Sequence, residues 1–147
     1  MKDTIELLRQ ELDEMIRARD VLAYSFEKCS AAGIRPDLSN DELESFEALT
    51  SRFSRLSDIV IQKIFRHLDM LDLEDTGTIR DRINRAEKRG IIKDAETFVE
   101  IRLLRNEIAH EYKSESILEI FERVMAMTPQ LIDSVERIIA YSSQYFE

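Results

Sequence analysis

Apolar residues recur at helical spacing along most of this chain. In the first stretch they fall at Ile5, Leu8, Leu12, Met15, Ile16, Val21, Leu22 and Phe26, which predicts a helix from about Thr4 to Ala31. Gly33 and Pro36 end it, with Ile34 and Leu38 in the connection. Ser39 followed by Glu42 is a capping-box signature that opens a second helix. Its stripe of Leu43, Phe46, Leu49, Phe53, Leu56, Ile59, Val60, Ile64 and Leu68 is long enough that it has to be buried. Two long helices joined by a short turn predict an antiparallel hairpin.

Asp75-Thr76-Gly77-Thr78 breaks the pattern. Thr78 suits the N-cap of a short helix through Ile79, Ile83 and Ala86, and Gly90 suits the residue just past its end. Asp94 caps a fourth helix through Phe98, Ile101, Leu104 and Ile108 towards Tyr112. Ser116 with Glu119 is a further capping box, starting a helix over Ile117–Met127. Thr128-Pro129 places a cap before a proline and predicts a separate last helix to about Tyr145. Nothing reads as a strand, a repeat or an interdomain linker. The expectation is an all-α, up-and-down helical bundle of four to six helices, forming a single domain over residues 1–147.

Composition adds limits to this picture. Apolar residues make up 44% and charged residues 35%, the balance of a globular bundle with solvated outer faces. No apolar run approaches the roughly 18–20 residues of a membrane span, so no membrane partner is expected. The chain starts Met1-Lys2-Asp3-Thr4 and runs into a charged amphipathic stretch, unlike a secretory h-region. The single cysteine, Cys29, has no internal partner and reads as a small buried apolar residue, and a reducing cytoplasm fits best. No Cys/His set has metal-ligand spacing, so neither a metal nor another cofactor is expected.

The net charge of −9 gives no whole-molecule attraction to nucleic acid, so RNA binding would need a local basic surface. Residues 79–105 carry eight Lys/Arg (Arg80, Arg82, Arg85, Lys88, Arg89, Lys93, Arg102, Arg105) against five acids, a segment charge of +3 that leaves −12 on the remainder. The ordinary meaning of such a run is a solvated helix face. The same reading places His67, Arg55 and Asp58 on solvated helix surface, and assigns the five methionines to core gaps. Tyr141 and Tyr145 read as packing residues.

One position on the fourth helix does not fit a plain core face. With about 100° per residue, Leu104, Ile108, Ile101, Tyr112, Phe98 and Ala109 share an arc of roughly 140°, and Arg105 falls inside it. A guanidinium stays charged, and burying it alone costs several kcal/mol. Arg105 therefore has to meet an acid, open onto a cleft or face a second subunit. His110 lies about 140° from Arg105 on the same wheel and aligns with Arg102, Asn106 and Ser114. Convergence of Arg105 and His110 then requires a bent helix or a symmetric homodimer, with the dimer preferred. Chemically, histidine exchanges a proton near neutral pH, and arginine offers a permanently charged fork for phosphate. Together, without a metal, they suit RNA transesterification, with Asn106 orienting His110 or donating to phosphate and Tyr112 stacking on a base.

The octapeptide Arg105-Asn106-Glu107-Ile108-Ala109-His110-Glu111-Tyr112, an Arg-x4-His-x-Tyr pattern late in a helical chain, resembles the HEPN superfamily. More narrowly it is similar to the HepT toxins encoded beside minimal nucleotidyltransferase (MNT) antitoxins. The resemblance implies a bundle that dimerises with both copies of the motif lining one cleft. It implies a toxin that is a metal-independent endoribonuclease acting on RNA through Arg105 and His110. It also implies that Tyr112 is the residue which a partner nucleotidyltransferase modifies with AMP, neutralising the toxin. Other members of the superfamily are non-catalytic, substrate-binding partners of nucleotidyltransferases, and that alternative stays open at this point.

Overall fold

The computed structural model describes residues 2–74, 76–110 and 117–147. The described residues are all-helical. Helix α1 spans Lys2–Ala32 and α2 spans Asn40–Asp58. A π-helical segment at Ile59–Ile64 follows without a break, and α3 at Phe65–Leu71 continues the same rod. After them come α4 at Ile79–Lys88, α5 at Ala95–Ala109 and α6 at Ile117–Ser142, which ends in a 3₁₀ turn.

Local chemistry sets most of the boundaries. Gly33, at φ 73°, closes α1 by donating its amide to the Cys29 carbonyl. Ser39 and Glu42 exchange both capping-box hydrogen bonds at the start of α2. The Ser39 amide and Arg35 hold the Glu42 carboxyl down at about 2. Thr78 and Asp81 form the equivalent box on α4. At its other end Gly90 adopts φ 76°, its amide bonds the Glu87 carbonyl, and Ile91 bonds back to Ala86, a Schellman closure. Asp94 caps α5 through the Glu96 amide and the Thr97 hydroxyl.

Cross-helix pairs give the topology. Glu14 meets Lys63, and Ser25 meets Arg52, so α1 runs antiparallel to the α2–α3 rod. Phe98 packs on Phe65 while Arg105 reaches Asp58, so α5 is antiparallel to that rod too. Arg19 with Glu136, and Arg9 over the Phe146 ring, orient α6 against α1. The result is an up-and-down bundle with α4 as a short connecting helix. Its core runs from Leu8, Met15 and Leu22 through Phe46, Phe53 and Leu56 to Phe98, Phe121 and Ile138. Cys29 is buried in it, and Phe46 stacks on Phe121 with ring centroids 5.0 Å apart.

Several expectations need correction. The two helices expected on either side of Thr128-Pro129 are one, α6, with Pro129 on its exposed side. Thr128 is buried, and its hydroxyl bonds the Val124 carbonyl inside the helix instead of capping a new one. The proline removes one backbone donor, and packing of the apolar face on both sides outweighs that loss. The Ser116 cap lies outside the described residues. Val21, expected on the core face from its spacing, and Met70, expected to fill a core gap, are both substantially exposed. Among the described residues no helix is long and apolar enough to cross a membrane.

Candidate functional site

The question raised by Arg105 has a specific answer: it meets an acid. Nε lies 2.6 Å from Asp58 Oδ1 and Nη2 lies 2.8 Å from Oδ2, a two-pronged pair between α5 and the last residue of α2. The hydrogen bonds that Arg105 donates to Asp58 raise its pKa further, against a smaller opposing effect of burial. The two side chains remain 30% and 38% exposed, so the pair sits at the edge of the core and is open to solvent. Asp58 was expected on a solvated face; instead it is the residue that holds the candidate cation. Arg55, one turn earlier, is exposed as expected.

Helix α5 stops at Ala109. His110 still donates its amide to the Asn106 carbonyl, at 3.2 Å, so its Cβ keeps nearly the direction that the wheel gives. Its ψ of 150° then turns the chain off the helical path. Arg105 and His110 are about 7.5 Å apart along the axis by helical rise and on different sides of it. The helix expected to run towards Tyr112 thus ends at Ala109. Tyr112 and Ser114 lie outside the described residues. His110 is exposed, Arg102 and Asn106 are half-buried, and Arg102 Nε is buried with no partner among the described residues. Ala109, expected on the core arc, is exposed, and so is the neighbouring Leu103 at 51%.

Three residues of the basic run upstream turn inward, while Arg80, Lys88 and Lys93 stay exposed. Asp69 is completely buried and receives Arg89 Nη1 at 2.5 Å and Arg85 Nη2 at 2.8 Å, with Arg82 Nε 3.7 Å away. Arg89 also pairs with Asp72 at 2.9 Å. Burial opposes the Arg89 charge, but Asp69 and Asp72 outweigh it and the pKa is raised. Tyr141 and Tyr145 both donate to Asp72, so these expected packing residues have a polar anchor as well. Arg80 pairs with Glu96. A solvated basic face was the ordinary expectation here; the structure instead turns Arg82, Arg85 and Arg89 inward as a brace between α3 and α4.

His67 is likewise buried rather than on the surface, with Nδ1 2.7 Å from Glu11 Oε1. A π segment stands just before it, where the Phe65 amide bonds the Val60 carbonyl, five residues back. His67 and Asp69 lie two positions apart and face different neighbours, His67 towards Glu11 of α1 and Asp69 towards Arg82, Arg85 and Arg89.

No metal-ligand cluster occurs among the described residues. No protein-family model matches the chain, and no curated protein is detectably similar to it.

Proposed function

We propose that the chain is the toxin of a toxin–antitoxin pair, a metal-independent endoribonuclease of the HEPN type in which Arg105 and His110 do the chemistry. The observation that carries this reading is a half-exposed, two-pronged Asp58–Arg105 pair on the helix that ends in an exposed His110. An arginine fixed by a carboxylate yet open to solvent is preoriented to receive phosphate oxygens, whereas a fully buried one is not. His110 takes the proton of a ribose 2′-hydroxyl. That oxygen attacks the adjacent phosphorus, the bond to the 5′-oxygen breaks as this oxygen takes a proton from water, and a 2′,3′-cyclic phosphate and a 5′-hydroxyl end result. Arg105 stabilises charge on the phosphoryl oxygens. Asn106 and Arg102, on the His110 side of α5, support the base and the substrate backbone. Because Arg105 and His110 point to different sides, the reading includes a homodimer in which one copy's histidine completes the other's site. The exposed Leu103 on α5 offers apolar area for such an interface.

Regulation follows from the same motif. A partner nucleotidyltransferase transfers AMP from ATP to the Tyr112 phenol and releases pyrophosphate, placing bulk and negative charge where phosphate must bind. Incubation with that enzyme and ATP should add ~329 Da per modification, and Tyr112→Phe should abolish the adduct. The nuclease test is cleavage of RNA in EDTA, lost in His110→Ala. Cleavage that persists in that variant contradicts the role given to His110.

A second reading is a non-catalytic module that binds a nucleotidyltransferase. It is favoured by the engagement of Arg82, Arg85 and Arg89 with Asp69, which takes three cations of the basic run away from any RNA surface. It predicts a stable complex with the partner and no growth arrest on expression alone.

A further inference from the structure

A cleft of about 430 Å³ lies between the first turns of α1 and the π segment with α3. This volume is typical of small-molecule sites. Asp3, Leu7 and Glu11 line it from α1, and Arg66, His67 and Met70 from α3.

Three features of this lining point to a ligand. His67 is 5% exposed and holds Glu11 through Oε1, leaving the other carboxylate oxygen for a further donor. His67 Nε2 has no partner among the described residues, although buried polar atoms are nearly always paired. Leu7 and Met70 expose 49% and 44% of their surface on the same cleft. Finally, Lys63 is neutralised by Glu14 at 3.2 Å, while Asp3 and Arg66 enter no ion pair among the described residues. The cleft thus presents carboxylates, one unengaged guanidinium and an apolar wall. A simple cation there meets Arg66, and a simple anion meets Glu11 and Asp3; a molecule with both charges satisfies each.

We propose that this cleft binds a small zwitterion with an apolar arm, the chemistry of a free hydrophobic α-amino acid. The ammonium donates to Glu11, the carboxylate accepts from Arg66, and the arm packs on Leu7 and Met70, with Asp3 at the far end of the cleft. His67 acts as a positioning residue that orients Glu11. This site is separate from the Arg105 region and does not rest on the nuclease reading.

The test is a titration of ¹⁵N-labelled full-length protein with L-phenylalanine, following the backbone amides of residues 62–70 and the His67 ring nitrogens. Two half-molecules serve as controls: 3-phenylpropionate, which lacks the ammonium, and 2-phenylethylamine, which lacks the carboxylate. Expected are saturable shifts at the cleft and at the His67 ring with L-phenylalanine, and binding at least about tenfold weaker for either half-molecule. Arg66 is on the surface, so Arg66→Ala should fold normally and weaken L-phenylalanine about tenfold while leaving 2-phenylethylamine unchanged. No saturable shift with L-phenylalanine, equal binding of both half-molecules, or an Arg66→Ala variant with unchanged affinity would overturn the proposal and leave Glu11–His67 as a clamp between helices.

Discussion

Asp69 and Asp58 lie on one continuous helical rod, and each binds arginine in opposite surroundings. Asp69 is fully buried and draws in Arg82, Arg85 and Arg89 from α4 and the residue after it. Asp58 is more than a third exposed and holds Arg105 alone. Charges taken out of water depend on one another, so removing one partner leaves the rest uncompensated. A pair at the solvent edge is screened by water and contributes little to stability. Arg82, Arg85 and Arg89 are therefore held for the fold, while Arg105 stays open to solvent, as the proposed nuclease reading requires.

The largest expected effect tests the buried side of this contrast. Asp69→Ala leaves the inward-facing guanidiniums without their acid and should lower stability by about 3–5 kcal/mol in urea denaturation. A loss under about 1 kcal/mol would mean that water relieves the site and that the contrast with Asp58 fails. The corresponding change at the open site, Asp58→Asn, should cost no more than about 1 kcal/mol in the same assay.

Two smaller effects follow pH. Burial, and then Asp72, raise the pKa of Tyr145 and of Tyr141, the residues that anchor the Asp69 brace to α6. The folded state keeps their protons longer than the unfolded chain does. Their contribution is therefore complete below the ordinary tyrosine range near 10 and is lost as pH rises above it. Urea midpoints measured from pH 9 to 11 should fall in the wild type and fall less in Tyr145→Phe. At the far end of α2, Glu42 titrates at about 2 when folded against an ordinary 4.5, so its contribution is present above 4.5 and is lost as pH drops towards 2. Glu42→Gln should flatten that part of the acid-unfolding curve, by an amount smaller than any above because the carboxylate is at the surface.

Legibility followed the range of the interactions. Capping boxes at Ser39 and Thr78, the Asp94 cap and the Gly90 closure involve neighbours within a few residues, and each was readable from sequence. That Arg105 needed an acid, a cleft or a partner was also readable, from its place among apolar positions. Which acid it meets was not, because Asp58 is 47 residues away and appears on a wheel only as one more polar position. The burial of His67 was not readable for the same reason, since its partner Glu11 is 56 residues away. Thr128-Pro129 carried a valid local start signal, and tertiary packing along α6 overrode it.

The most direct test of the division between structural and available arginines is the rate of RNA cleavage in EDTA by Arg105→Ala, measured on protein whose urea midpoint has been checked. The account predicts a midpoint within about 1 kcal/mol of wild type together with a rate lower by about 10²–10³-fold. Cleavage at the wild-type rate by this folded variant would contradict it.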